Sequence, residues 1–166
     1  MKARLRQLRR DERGMTFAFV AISLTGFLAA STLAVDVGMF MTARSQAQNA
    51  ADAGALAGAV ALVYDDFDNR SAAGPAVQSA IGTATGNEVM HGAVSVLPGD
   101  VTFPVSPSGA SDRIRVQVYR TEARNNPVGT LIGPVFGIPT IDIVAAAVAE
   151  ASPANAMTCV KPFTIP

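Results

Sequence analysis

The sequence contains no tryptophan, a single cysteine, a single histidine and few aromatic residues. Cys159 has no second cysteine to pair with, so in an oxidising compartment its thiol is either free or available to a partner chain. The shortage of aromatic and histidine side chains argues against a pocket built for a small-molecule ligand. Basic and acidic residues balance at thirteen each, which argues against nucleic acid as a partner.

What the sequence does contain is one long uncharged run near the N-terminus. The 21 residues from Met15 to Val35 carry no charge, and a helix of that length measures about 32 Å, enough to cross a hydrocarbon core of about 30 Å. The run exceeds the apolar region of a usual cleaved signal, although Thr32-Leu33-Ala34 offers a small-x-small cleavage site. We therefore predict a membrane anchor, with a cleaved signal and a core helix of a soluble protein as the alternatives.

The charges that precede this run predict its orientation. Residues 1–14 hold six basic and two acidic side chains, a net charge of +4, so the other 152 residues carry −4. The positively charged flank of a membrane span stays in the cytoplasm. We therefore predict that the N-terminus is cytoplasmic and that the rest of the chain, beyond the span, is exported. Arg9-Arg10 does not predict twin-arginine export, because charged residues follow it where that signal has apolar ones.

These observations divide the chain into three predicted parts. Beyond residue 41 there remain 125 residues, which suits one modest domain. The predicted parts are a basic cytoplasmic segment over 1–14, a transmembrane helix over 15–41 and an exported α+β domain over 42–166. Within that domain we predict a helix extension over 42–67, a short helix over 71–86, a sheet over 89–152 and a tail over 153–166.

The helical pattern continues past the apolar run, because the following residues are rich in alanine and free of proline as far as about Tyr64. Small residues recur there at four-residue spacing, which lets another element approach closely. The two rows are Ala50, Gly54 and Gly58, and Ala47, Ala51 and Ala55. The approaching element is either the sheet of the same domain, which we expect, or a neighbouring subunit.

The second half of the chain has a sequence pattern typical of β-strands. A short helix over Pro75–Thr85 is followed by β-branched segments separated by glycine and proline. The clearest strand is 113–121, where Ile114, Val116 and Val118 alternate with polar residues. The other predicted strands are 140–151, 93–97 and 101–105, with a loop over 125–139 that includes a helical turn at 131–136. Helices followed by three or four antiparallel strands predict an α+β fold, with the long helix packed on a small sheet.

The sequence offers little that could perform chemistry. His91 stands alone between Met90 and Gly92, which is typical of a turn rather than of a catalytic base. The acidic cluster at 65–68 lacks the glycine and the distal glutamate of a calcium loop, so a solvated turn explains it better. We predict no catalytic residue, cofactor, metal or small-molecule substrate, and therefore a protein that is not an enzyme.

Asp36 is the acidic residue with most functional interest, because it follows the uncharged run directly. A carboxylate near the end of a membrane helix is costly unless it is hydrated or paired. One interpretation is an acid exposed at the membrane interface. The sharper hypothesis is that Asp36 pairs with a positive group on a partner protein and fixes the register of the two helices.

The residues from Leu33 to Leu62 carry a recognisable pattern of motifs. They are Val35-Asp36-Val37-Gly38 and Gln48-Asn49-Ala50-Ala51-Asp52-Ala53, and Arg13-Gly14 precedes the apolar run. This pattern resembles the N-terminal segment of the TadG-like (TadE/TadG) proteins of the Tad, or Flp, pilus assembly system. Alanine richness alone would not place Asp36, Gly38, Gln48 and Asp52 in that order.

The resemblance implies a pilin-like accessory protein of the bacterial inner membrane, whose exported, periplasmic part assists assembly of pili used in cell adhesion. Its partners would be the membrane and other Tad assembly proteins or pilins. The residues carried over as candidate partner contacts are Asp36, Gly38, Gln48, Asp52, Gly54 and Gly58. Related minor pilins are cleaved after a glycine that a glutamate follows five residues on. Gly14 is the candidate here, but Phe19 stands at the fifth position, which favours an uncleaved N-terminus.

Overall fold

The computed structural model describes residues 12–105, 107, 109 and 112–151, with side chains described from Gly14. Most of the predicted basic segment, the predicted tail and Cys159 lie outside these residues. The described residues form two α-helices, α1 (Glu12–Tyr64) and α2 (Pro75–Thr85). The strands are β1 (Glu88–Val89), β2 (Gly92–Ala93), β3 (Val101–Thr102), β4 (Arg113–Arg120), β5 (Val128–Gly129), β6 (Thr140–Ile141) and β7 (Ile143–Glu150). The predicted α+β fold is confirmed.

The described chain forms two compact units. The first comprises the chain up to Met41 together with Gly129–Thr140, and the second comprises Thr42–Val128 and the chain from Ile141. The division at Met41 coincides with the predicted end of the transmembrane segment. That a loop from the strand region joins the first unit was not predicted from the sequence.

Helix α1 runs without interruption over 53 residues, about 80 Å at 1.5 Å per residue. It is long and apolar enough to cross a membrane. A core helix of a soluble protein would bury its large side chains, whereas Phe17, Ile22 and Phe27 are each more than 70% exposed. In this part of the helix the hydroxyls of Thr25, Ser31 and Thr32 each donate to the backbone carbonyl one turn earlier. These hydroxyls therefore have hydrogen-bond acceptors without water. The first part of α1 is therefore a candidate membrane span.

The second unit packs the later part of α1 against α2 and the sheet. Both rows of small residues on α1 are buried, so the expected packing within one domain is confirmed. A Cβ atom on Gly54 would lie 2.8 Å from the Cβ of Ala84 in α2 and 3.4 Å from Val116 Cγ1 in β4. Gly54 thus touches both neighbours of the helix, and its lack of a side chain permits the close approach.

The main sheet has the antiparallel order β3-β4-β7. The alternation predicted for β4 is confirmed, because Ile114, Val116 and Val118 are fully buried while the residues between them are half-buried. Three predicted strands are shorter than expected, and the one over 101–105 is reduced to β3 (Val101–Thr102). The strand predicted over 140–151 breaks at Asp142, whose Oδ1 accepts a hydrogen bond of 2.8 Å from the Glu122 amide. Of the strand predicted over 93–97, only Ala93 belongs to β2, and Ser95 forms one isolated bridge to Tyr119.

Strands β1 and β2 form a small hairpin with a two-residue turn. Met90 and His91 occupy the turn with φ of 49° and 61°, the left-handed conformation at both positions that a type I′ turn requires. The amide of Met90 donates to Oε1 of Gln46 on α1 at 2.9 Å, which holds the turn in place. His91 is exposed in this turn, the position that its sequence context predicted.

A buried arginine joins this hairpin to the segment before β5. The Arg120 guanidinium donates to the carbonyls of Val89 at 3.0 Å, Asn126 at 3.1 Å and Pro127 at 3.2 Å. Gly92 packs directly against the guanidinium, and a Cβ there would overlap Nη1. Burial lowers the pKa of Arg120 below its usual value, but arginine starts so high that the side chain stays charged.

We expect Arg120→Lys to destabilise the second unit by about 1–2 kcal/mol, because an ammonium group cannot reach three carbonyls that a planar guanidinium spans. Arg115→Lys is the matched control, since Arg115 lies on the opposite face of the same strand and is half-buried. Its effect should stay within about 0.5 kcal/mol. Urea unfolding of both variants measures the difference, and equal stabilities would contradict the structural role of Arg120.

Candidate functional site: the Asp36 carboxylate and the 129–140 loop

The carboxylate of Asp36 accepts three backbone hydrogen bonds from a distant part of the sequence. Oδ1 accepts from the amide of Leu131 at 2.8 Å, and Oδ2 accepts from the amides of Ile132 at 2.9 Å and Gly133 at 3.2 Å. These are successive amides at the start of a short 3₁₀ helix, Gly133–Phe136. Amides at such a start have no partner within the helix, and they favour an anion. The acid at the end of the apolar run is thus paired within its own unit.

The loop itself is closed by hydrogen bonds across its base. Thr130 donates from its amide to the Pro139 carbonyl at 3.0 Å and from its hydroxyl to the Ile138 carbonyl at 2.7 Å. Gly133 lies inside this closure, where a Cβ would overlap the Ile138 carbonyl and the Thr130 hydroxyl. A glycine at this position therefore permits the tight turn that aims the three amides at Asp36.

Gln48 and Asp52 form a second small arrangement, on the exposed face of α1 in the second unit. Nε2 of Gln48 donates to Oδ1 of Asp52 at 3.0 Å and to the carbonyl of Ala146 in β7 at 3.3 Å. The pair is one helical turn apart, the spacing at which side chains meet on a helix. Gln48 thereby links the helix to the sheet, while Asp52 is exposed to solvent.

The four glycines among the candidate residues have different surroundings. Gly54 and Gly58 are buried against α2 and β4, so they serve the packing of their own unit. Gly38 and Gly14 are exposed, and an added Cβ would meet no atom within 4 Å at either position. Gly14 is helical, two residues after the start of α1. The candidate residues therefore do not gather into one site.

No group of three or more His, Cys, Asp or Glu side chains is placed to hold a metal ion in the part of the chain that the structure describes. The arrangement around Asp36 is one of hydrogen-bond pairing, because both of its carboxylate oxygens accept from backbone amides. What this geometry can do is fix the loop to α1 at the position where the uncharged run ends.

Comparison with known families bears on the segment that carries Asp36. Residues 14–61 match the model of the Tad family, described as "Putative Flp pilus-assembly TadE/G-like". This segment is TadE/G-like. The resemblance proposed from the sequence motifs is thereby confirmed. No curated protein and no solved structure matches the chain.

The TadE/G-like segment coincides with α1 to within three residues at each end. It includes all six candidate partner residues, from Asp36 to Gly58. It does not include the 129–140 loop, the part of the site that the sequence predictions missed. A signal for that loop was present, since 129–140 contains five large apolar residues and no charge, which is unusual for an exposed connection.

Proposed function

We propose that this chain is a membrane-anchored, pilin-like accessory protein of Tad/Flp pilus assembly, and that it acts by binding rather than by catalysis. The observation that carries the proposal is the coincidence of the TadE/G-like match with one continuous helix. The first part of that helix is apolar and exposed, and the second part packs a folded domain through buried small residues. A helix of this kind tethers a domain to a membrane and presents it on one side.

The proposal includes a topology, with the N-terminus in the cytoplasm of a bacterium and the folded part in the periplasm. It is supported by the net charge of +4 on residues 1–14, which favours retention of that end in the cytoplasm. The expected location is the inner membrane, with a single pass. Other Tad assembly proteins or pilins are the expected partners.

Deletion of the gene in its own host tests the assembly role. We expect cells without the protein to lose surface pili, and the full chain supplied in trans to restore them. A version beginning at Thr42 behind an unrelated cleaved signal should reach the periplasm and fail to restore pili, because it has no anchor. Pili are counted by electron microscopy, and immunoblots establish that both versions accumulate equally. Unchanged pilus numbers in the deletion strain would contradict the proposal.

The same strains separate this function from an alternative one, that of a membrane-tethered periplasmic binding module unrelated to the filament. Such a module would leave pilus numbers unchanged on deletion. Fractionation of sheared pili and membranes then shows whether an assembly component enters the filament or stays beside it.

A further inference from the structure

The 129–140 loop presents a cluster of large apolar side chains. Four of them, Leu131, Val135, Phe136 and Ile138, are between 55% and 80% exposed. No charged residue occurs anywhere in the loop. Apolar clusters of this kind, without charges among them, mark a surface that another phase or molecule covers.

The hydrogen bonding of the loop backbone is that of a segment shielded from water. Seven of its amides have a hydrogen-bond acceptor within the unit, and the two prolines have no amide to satisfy. Those seven are the amides of Thr130, Leu131, Ile132, Gly133, Val135, Gly137 and Ile138. Water satisfies the amides of an ordinary exposed loop, whereas a lipid environment requires that they be satisfied internally.

The position of the loop on α1 identifies what covers it. Asp36 follows the uncharged run directly, so the three hydrogen bonds place the loop beside the end of the predicted span. Among the residues of the first unit from Gly14 onward, only Asp36 is charged. Its carboxylate accepts hydrogen bonds from three backbone amides of the loop. The first unit is thus continuous in its apolar character from the span into the loop.

We propose that the 129–140 loop is a second membrane contact of this chain, lying at the boundary of headgroups and acyl chains in the leaflet where the α1 span ends. Its exposed apolar side chains contact lipid, as those of interfacial segments do. Asp36 positions the loop there, and its charge is offset by the amides it binds. This inference rests on the membrane anchoring in the proposed function, and it adds a contact that neither the family match nor the helix implies.

The absence of tryptophan from the sequence makes a direct test possible. Three variants of the full chain each carry one tryptophan: Phe136→Trp in the loop, Phe27→Trp in the span and Tyr64→Trp at the exposed end of α1. Each is reconstituted in vesicles of phosphatidylethanolamine and phosphatidylglycerol. Lipids spin-labelled near the headgroup or near the acyl end, and acrylamide in the water, serve as quenchers.

We expect the tryptophan of Phe136→Trp to emit at a shorter wavelength than that of Tyr64→Trp. The lipid labelled near the headgroup should quench it several-fold more than it quenches Tyr64→Trp. Phe27→Trp should be quenched best by the lipid labelled near the acyl end. Amide exchange at Leu131, Ile132 and Gly133 establishes that the loop is intact. Leu131→Trp is the second reporter if Phe136→Trp disturbs it.

Three other outcomes would overturn the inference, and they differ in what else they affect. Quenching of Phe136→Trp by acrylamide alone, with Phe27→Trp quenched by lipid, leaves the span intact and the loop in water. A blue-shifted Phe136→Trp that neither quencher reaches means that protein, such as a second copy of the chain, covers the loop. Phe27→Trp without lipid quenching would refute the anchor itself, and with it the proposed function.

Discussion

Asp36→Asn is expected to release the 129–140 loop from α1. An asparagine keeps one acceptor oxygen but replaces the other by an amide group that repels the amides of Ile132 and Gly133. It also removes the charge that makes hydrogen bonds to a carboxylate roughly twice as strong as neutral ones. Amide exchange of Leu131, Ile132 and Gly133 should therefore accelerate about tenfold or more.

The control for this prediction is Asp52→Asn, the same substitution at an exposed aspartate of the same helix. Asp52 accepts only from Gln48 in the described contacts, so its replacement should leave exchange in the loop unchanged. Equal exchange rates in the wild type and in Asp36→Asn would show that the carboxylate does not hold the loop.

The same variant addresses the hypothesis that Asp36 contacts a partner protein. The structure gives both carboxylate oxygens acceptor roles within the chain, and the partner contact stays a prediction. If Asp36 sets the register with a partner, Asp36→Asn should abolish co-assembly into pili while membrane insertion and protein abundance stay intact. Normal pilus output from that variant would refute this role.

Replacing Gly58 is expected to destabilise the second unit more than any other single change proposed here. An added Cβ would lie 2.5 Å from Ile114 Cδ1, 3.0 Å from the Cβ of Ala80 and 3.1 Å from the Ala76 carbonyl. Gly58→Leu should therefore cost about 3 kcal/mol or more, because α1 must move away from both α2 and β4. Gly58→Ala should cost about 1–3 kcal/mol for the same reason.

Gly82→Ala is the matched control, since Gly82 lies within α2 and an added Cβ there meets no atom within 4 Å. It should stabilise the unit by about 0.5–1 kcal/mol through helix propensity alone. Both tyrosines of the chain, Tyr64 and Tyr119, belong to the second unit. Tyrosine fluorescence during urea unfolding therefore reports on this unit alone. Stabilisation by both alanines would contradict close packing at Gly58.

Local sequence signals predicted most of the fold correctly. A proline-free, alanine-rich stretch predicted a helix that ends at Tyr64, and alternation at Ile114, Val116 and Val118 predicted the central strand. Both signals work because helix and strand place side chains on a face with a fixed period. The small strands β1 and β2 were harder, since their turn is Met90-His91 rather than the glycine-containing pair that usually marks a hairpin.

The candidate site could be predicted only in part. Asp36 was found because a charge at the end of an apolar run is costly, but its hydrogen-bond donors lie 95 to 97 residues later in the sequence. No local pattern connects such distant segments. The burial of Arg120 was not predicted, although residue 120 continues the alternation of buried residues in β4. The charge of the side chain predicts an exposed position. The three carbonyl acceptors of Arg120 exist only in the folded chain.

The central claim is a permanent membrane anchor that carries a folded exported domain, and intact mass with fractionation of the native protein tests it most directly. The protein is purified from its own host, and its mass is compared in inner-membrane and periplasmic fractions. We predict the full-length mass in the inner membrane, with residues 1–14 retained. A periplasmic form that lacks about 34 N-terminal residues, cleaved as a secretory signal is, would contradict the anchor and the function proposed from it.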